Sequence, residues 1–239
     1  MTTVLILGSA PMAMEARIWP RQPFDAVVAI NNAWAIRHDW DHMIHPWDYP
    51  ATLHPEPRPG QTLVTETDFV PAQNGYGGFV YAGATMAFTA CYWALHALRP
   101  KVIAMFGCDM HYPARGQTHF YGKGSPDPLR PDITLQSLEA KSARLMIMAA
   151  AQGCAMINLS TGPSRLLFPR VARAQANLAV PQQFCPTATA HAAAREAALG
   201  YFVPSGRYWE DLSRFDARAL ADLDAMWLAA AEARWQQAC

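Results

Sequence analysis

The chain has 239 residues, with 19 basic and 19 acidic side chains and a formal net charge of zero at pH 7. That length suits one domain with a helical appendage or two small domains. The balanced charge and the lack of a long basic run exclude nucleic acid as the expected partner. No basic segment precedes a signal-length apolar core, and the longest apolar stretch, residues 82–98, contains Thr85, Thr89 and His96. We therefore expect a cytoplasmic protein without a transmembrane segment.

The five cysteines are scattered along the chain, and no two of them form a Cys-x-x-Cys pair. An odd, scattered set is not typical of a structural zinc site or of a disulfide framework. We therefore expect buried free thiols in a reducing compartment.

Five short apolar runs, each followed by a polar or glycine-rich turn, are the main structural signal. They span residues 4–7, 26–30, 43–44, 102–106 and 155–159. Nearly continuous runs of Val, Ile and Leu are typical of strands buried on both faces of a parallel sheet. If these strands are parallel, every polar turn falls at the carboxyl edge of the sheet, where ligands bind in open α/β folds.

Helices and loops are predicted between and after these runs. The predicted helices are a short one from Pro11, one or two turns over 33–38, and longer ones over 82–98, 135–152, 188–199 and about 216–237. Thr62–Glu66 predicts a further strand, and residues 71–78 predict a flexible, glycine-bearing lead-in to the helix over 82–98. Residues 113–134 contain four prolines and three glycines, and a loop of this length is typical of a lid beside an active site.

Two regions are expected from this pattern. Residues 1–168 predict a Rossmann-like α/β domain, a mostly parallel sheet with helices on both faces. Residues 169–239 predict a C-terminal helical extension or a cap over the sheet edge, because Ala-rich helices alternate there with prolines.

Residues 102–119, VIAMFGCDMHYPARGQTH, carry the sharpest chemical signal. Asp109, His111 and His119 follow a strand that stops at Gly107, and a carboxylate and imidazoles are costly to bury there without partners. Three interpretations stay open. The residues could bind a divalent metal, they could perform acid–base chemistry with a histidine that titrates near neutral pH, or they could anchor a loop.

The turns after the first two strands carry weaker signals. Gly8 and Ser9 stand where a Rossmann-type fold places its phosphate turn, although the GxGxxG fingerprint is absent. Asn31 and Asn32 are paired amides, which read base and ribose edges well or simply hold an Asx turn.

The remaining turns are equally open to two interpretations. Asp48 and Tyr49 could bind a hydroxyl and stack on a ring, or they could pack against a neighbouring loop. Ser160, in the cluster that ends at Ser164, could bind phosphate or cap a helix. Among the other histidines, His45 ends a strand and His54 has no obvious companion.

These motifs resemble a known group of enzymes. VLILGSAP resembles the strand–turn opening of bacterial CMP-sialic-acid-dependent sialyltransferases, with Ala10 and Met12 in place of the glycine and serine of their GxGPS-type turn. Asn31-Asn32, the Gly83 helix and VIAMFGCDMHY are similar to that family's second strand end, Ser-Gly helix and Gly-x-Asp-x-x-Tyr strand end. GCDMHYPARGQTH and INLSTGPS also resemble the related group that contains archaeal hydroxymethyl-dihydropterin pyrophosphokinases and flagellin-modifying glycosyltransferases. The resemblance covers roughly residues 3–50 and 76–168.

The resemblance implies a transferase acting on a nucleotide-activated donor, foremost a glycosyltransferase that uses a CMP-sugar or another nucleotide-sugar and a small-molecule or glycan acceptor. No tightly bound cofactor is expected, magnesium is compatible with this chemistry, and the metal ligands and oligomeric state are left open. Asp109 is expected to be catalytic, with His119 or His111 deprotonating the acceptor hydroxyl. The expected nucleotide-binding residues are Gly8, Ser9, Asn31, Asn32, Gly107 and Tyr112, and the expected substrate-binding residues are Asp48, Tyr49 and Ser160. The alternatives are an ATP-dependent pyrophosphokinase of the pterin type, in which Asp109 orients metal-bound phosphates, and a non-catalytic nucleotide-binding module.

Overall fold

The computed structural model describes residues 2–112, 116–123 and 130–232. Its centre is a six-stranded, all-parallel sheet in the order β4-β3-β2-β1-β5-β6. The strands are β1 (Thr3–Leu7), β2 (Ala26–Ile30), β3 (His42–Ile44), β4 (Thr62–Val64), β5 (Val102–Phe106) and β6 (Ala155–Asn158). The predicted Rossmann-like α/β fold with a parallel sheet is therefore confirmed.

Helices flank this sheet. The α-helices of the described residues are α1 (Glu66–Asn74), α2 (Phe79–Ala82), α3 (Met86–Ala97), α4 (Leu138–Ala151), α5 (Pro186–Leu199) and α6 (Ala217–Glu232). Shorter 3-10 helices include Pro11–Ile18, Asn31–Ala35 and Arg173–Leu178. The predicted helices are present, the first two with 3-10 geometry and the one over 82–98 as α2 and α3. Residues 233–237 of the last predicted helix lie outside the described residues.

The two faces of the sheet carry different kinds of helix. Val4 and Ile6 of β1 face one core, which includes buried side chains of all the α-helices. Leu5 and Leu7 face the other core, which is closed by small residues of the 3-10 helices, such as Ala13. Because side chains alternate along a strand, β1 contributes to both cores, and all five of its residues are buried.

The chain reverses its direction across the sheet at β1. It runs outward from β1 to β4, and then returns through α1, α2 and α3 to form β5 on the other side of β1. The parallel register pairs Leu7 with Phe106, so that the turns after β1 and β5 adjoin each other. In open α/β sheets this reversal is the topological switch point, and ligands bind in the crevice at its carboxyl end.

The segment between β4 and β5 differs from the sequence expectation. The predicted lead-in over 71–78 is partly helical, since α1 continues to Asn74 from a Thr65–Asp68 capping box. The predicted helix over 82–98 is interrupted at Gly83, where φ is +87° and a Cβ would lie 3.0 Å from Lys141 Cγ. Glycine at this position allows the turn between α2 and α3 to approach α4.

Two buried ion pairs join the C-terminal helices to α4. Arg144 donates from Nε and Nη2 to the two carboxylate oxygens of Glu196 in α5, at 2.7 and 2.8 Å. Trp227 Nε1 of α6 also donates to Glu196, at 2.8 Å. Lys141 Nζ donates to Asp224 Oδ1 of α6 at 2.7 Å. Because these charged groups are buried, α5 and α6 are held to α4 by interactions that solvent screens weakly.

The cysteine expectation is only partly correct. Cys91, Cys108 and Cys154 are free and buried, and burial raises the pKa of the Cys154 thiol to about 12. Cys185, however, is disulfide-bonded, so the prediction of a free thiol is wrong at this position.

Among residues 2–112, 116–123 and 130–232, no helix combines the length and the apolar character that a membrane crossing requires.

Candidate functional site

The turns after β1 and β5 touch at the switch point. Gly8 N donates to Phe106 O at 2.8 Å, and Ala10 N donates to Gly107 O at 3.1 Å. A Cβ on Gly8 would lie 2.3 Å from Gly107 O and 2.5 Å from Cys108 Sγ. Gly107 has φ of +71°, a conformation that favours glycine. The two glycines therefore allow a close approach that any side chain at Gly8 would prevent.

Four buried polar atoms without a hydrogen-bond partner lie along this edge, one after each of four strands. They are Asn31 Oδ1 after β2, His45 Nε2 after β3, Asp109 Oδ2 after β5 and Ser160 Oγ after β6. Buried polar atoms are nearly always paired, since each unpaired one costs about 1–3 kcal/mol. Other unpartnered buried atoms of the described residues, such as Thr3 Oγ1 and Gln73 Nε2, lie elsewhere, but these four share one edge, which makes it the candidate site for a polar ligand.

One asparagine connects two of these positions. Asn158, at the end of β6 and 1 % exposed, donates from Nδ2 to Asp109 Oδ1 at 2.9 Å and to Ser164 Oγ at 3.1 Å. Its Oδ1 accepts from the Ser160 backbone N at 2.9 Å. Asp109 is 5 % exposed, and within the described part of the chain no cationic side chain forms an ion pair with it. A neutral amide therefore positions a buried carboxyl group that has no ion-pair partner among the described residues.

Two of the unpartnered atoms adjoin residues with unusual backbone angles. Asn31 has φ of +50°, and Met110, directly after Asp109, also has φ of +50°. Positive φ in residues other than glycine costs energy and concentrates at ligand sites. The unusual backbone angle is thus at Asn31 itself in one turn and at the neighbour of Asp109 in the other, while Arg99, with φ of +46°, shows the same feature before β5.

Three aromatic rings form a cluster after β3. The ring centroids of His45 and His54 are 4.3 Å apart, and the Tyr49 ring is 5.4 Å from each of them. Tyr49 donates its hydroxyl to Asn32 Oδ1 at 2.6 Å, and burial raises its pKa. His45 Nδ1 lies 3.0 Å from Pro46 O. Because a carbonyl only accepts, Nδ1 donates this hydrogen bond, and Nε2 is the unpartnered atom of the ring.

His119 lies in a segment that contacts the turn after β1. The neighbouring Phe120 N donates to Ser9 O at 2.9 Å, which attaches this segment to the end of β1. Thr118 Oγ1 and His119 Nδ1 are 2.9 Å apart, and the His119 ring stacks on Tyr121 at 4.9 Å. Burial lowers the pKa of His119, so that its imidazole is neutral at pH 7 and able to accept a proton.

The structure also separates the predicted residues. Asp48 and His111 are exposed, whereas Tyr112 is half-buried, with its ring centroid 6.2 Å from that of His119. Of the predicted lid over 113–134, residues 113–115 and 124–129 lie outside the described residues. The shared edge of the polar turns is confirmed by the parallel strands, while the chemical roles of the residues stay predictions.

Sequence reasoning did not single out three residues of this edge. His45, His54 and Asn158 were assigned no role, although Asn158 is a polar residue that ends an apolar run and His45 directly follows a strand. The same strand-end rule that selected Asp109 could have selected both of them. His54 carries no such signal, because only the folded loop brings it to Tyr49.

Two further findings concern the metal interpretation and the family resemblance. Across residues 2–112, 116–123 and 130–232, no three His, Cys, Asp or Glu side chains are grouped in a way that could hold a metal ion. Comparisons with protein-family models, with curated proteins and with solved structures found no match.

Proposed function

We propose that this chain is a transferase acting on a nucleotide-activated donor, with a nucleotide-sugar as donor and a hydroxyl-bearing small molecule or glycan as acceptor. The observation that carries the proposal is the row of four unpartnered buried polar atoms at the carboxyl edge. The row spans the switch point between β1 and β5, which is where open α/β folds bind nucleotides.

The nucleotide is assigned to the β1–β2 side of the edge. Asn31 Oδ1 is a free acceptor for a ribose hydroxyl or a base amino group. Asn32 uses its Oδ1 for Tyr49 and keeps its amide N–H groups for the base. Gly8, Ser9 and Gly107 form the close-packed floor at the switch point, where the phosphates of the donor would lie beside Tyr112.

His119 is assigned as the general base. Its neutral imidazole takes the proton of the acceptor hydroxyl while the acceptor oxygen bonds to the anomeric carbon of the donor sugar. The bond from that carbon to the phosphate oxygen breaks, and the nucleotide leaves with the electron pair. His111, the other histidine considered for this role, is exposed, and Asp109 is assigned to the transferred group.

A nucleotide screen tests the proposal. Thermal shift and calorimetry with CMP, UDP, GDP and ATP, each with and without magnesium, should show stabilisation by a pyrimidine or guanine nucleotide. The corresponding nucleotide-sugar should then be consumed in the presence of an acceptor. Asp109→Asn should lower turnover about a hundredfold or more, whereas Asp222→Asn, at an exposed position of α6, should not change it.

The other outcomes distinguish the alternatives. Binding of ATP only with magnesium, followed by pyrophosphoryl transfer, would replace the proposal with a pyrophosphokinase. Binding of a nucleotide without turnover of any donor would indicate a non-catalytic module. No binding of any nucleotide would refute all three functions.

A further inference from the structure

We infer that the Asp109–Ser160 side of the edge binds an uncharged or amino-bearing sugar moiety. The hydrogen-bond donors of the sugar would meet the protein there, and phosphate and carboxylate groups are excluded. Two observations carry this inference: Asp109 Oδ2 and Ser160 Oγ are both buried without a partner, and one amide group connects the two residues. The inference relies on the proposed function only for naming the ligand as a sugar.

Asp109 and Ser160 belong to one small site. Nδ2 of Asn158 binds the Asp109 carboxylate, and Oδ1 of the same amide binds the Ser160 backbone N. The two unpartnered atoms are thus carried by groups on either side of a single planar amide. The exposed fractions of Asp109 and Ser160 are 5 % and 2 %, so that bulk water compensates neither atom well.

The electrostatics of this site are unfavourable for an anion. The Asp109 carboxylate receives one hydrogen bond from a neutral amide, and a phosphate or carboxylate placed against Oδ2 would add a like charge in a poorly hydrated place. Two arginines follow the Ser160 turn, and within the described residues neither of them forms an ion pair with Asp109. Arg165 donates from Nε and Nη2 to the Glu139 carboxylate at 2.7 and 2.8 Å, and Arg170 donates to the Ser160 and Gly162 carbonyls.

A ligand hydroxyl suits each of these two atoms. It donates its proton to Asp109 Oδ2 and accepts from Ser160 Oγ, whereas a phosphate at neutral pH has mainly acceptors to offer. An amino group would donate to both. Ser164, the other serine of the cluster, already uses its Oγ to accept from Asn158 and from Leu166 N. For Ser160 we therefore favour recognition of hydroxyl or amino groups over the phosphate binding that the sequence also allows.

Matched sugar probes test the inference directly. The probes are the methyl glycosides of glucose, galactose and mannose, the matching uronic acids and 6-phosphates, and glucosamine. Saturation-transfer NMR and calorimetry on the whole chain should show that at least one neutral or amino sugar binds about tenfold or more tightly than its anionic counterparts. Ser160→Ala should weaken that binding about tenfold, and Asp109→Asn should remove the discrimination against anions.

Thr189→Val is the matched control variant. Thr189 Oγ1 is also buried without a partner, but it lies in α5, so its loss should leave sugar binding unchanged. Preference for the uronates or phosphates, binding that Ser160→Ala and Asp109→Asn do not alter, or failure of every neutral and amino sugar to bind would each overturn the inference.

The nucleotide screen, run on the same samples, separates the two proposals. Nucleotide binding without sugar binding would leave the proposed function standing and overturn the inference. Sugar binding without nucleotide binding would do the reverse.

Discussion

Glu196→Gln should destabilise the protein strongly, because it removes the charge that compensates a buried arginine. Glu196 is 8 % exposed and Arg144 is 1 % exposed, and three hydrogen bonds of 2.7 to 2.8 Å converge on the Glu196 carboxylate. Breaking one partner of a buried ion pair costs about 3–5 kcal/mol, since the other charge stays buried. For a chain of this size, each kcal/mol lowers Tm by about 2–4 °C, which predicts a fall of about 6–20 °C.

Glu139→Gln is the control for this measurement. Glu139 and Arg165 have the same paired geometry, at 2.7 and 2.8 Å, but their side chains are 37 % and 39 % exposed. The control should therefore cost about 0–1 kcal/mol. Urea unfolding followed by circular dichroism gives both free energies of unfolding.

The outcome that refutes this reasoning is an equal, small loss in the free energy of unfolding for Glu196→Gln and Glu139→Gln.

A second test asks whether the Arg144–Glu196 pair stabilises the fold or whether its two charges only compensate each other's burial. The double variant Arg144→Met/Glu196→Leu removes both charges, and it should recover most of the stability that Glu196→Gln loses. Failure to recover would mean that α5 needs the specific hydrogen bonds rather than compensated charge.

Three further predictions concern the carboxyl edge. Gly8→Ala should lower the free energy of unfolding by about 1–3 kcal/mol or more, because its Cβ would lie 2.3 Å from Gly107 O. The control Gly162→Ala should be neutral, since no atom lies within 4 Å of the new Cβ. Equal effects of the two variants would contradict the close approach of the two turns. Because burial lowers the pKa of His119 below its ordinary value of 6.5, the acidic limb of the pH–rate profile should lie below pH 6.5 and should vanish in His119→Ala. The unfolded chain binds more protons at His119 than the folded chain does, so the contribution of this residue to the free energy of unfolding should rise with pH from the lowered folded-state pKa to the unfolded value near 6.5 and then level off. An acidic limb of the pH–rate profile above pH 6.5 would argue against His119 as the base. Ser160→Ala should leave Tm equal to or above that of the wild type, since it removes a buried unpaired hydroxyl, and a marked fall in Tm would assign Ser160 a structural role.

The sequence by itself determined the strands and the positions of their polar ends. Short, continuous apolar runs such as Val102–Phe106, each followed by a polar or glycine-rich turn, are typical of strands buried on both faces of a parallel sheet. Parallel strands in turn place every following turn at one edge, so that Gly8, Asn31 and Asp109 had to share it. This inference needs only the order of residues along the chain and the geometry of a sheet.

Only the tertiary structure decided which side chains meet. Asn158 and Asp109 are 49 residues apart in sequence, and Arg144 and Glu196 are 52 apart, so no local periodicity reports either pair. Their contacts depend on which strands are neighbours and on how α5 and α6 return to α4. The unpartnered atoms depend on the same packing, since a polar side chain lacks a partner only after the surrounding chain has excluded water and has supplied no hydrogen-bonding group of its own.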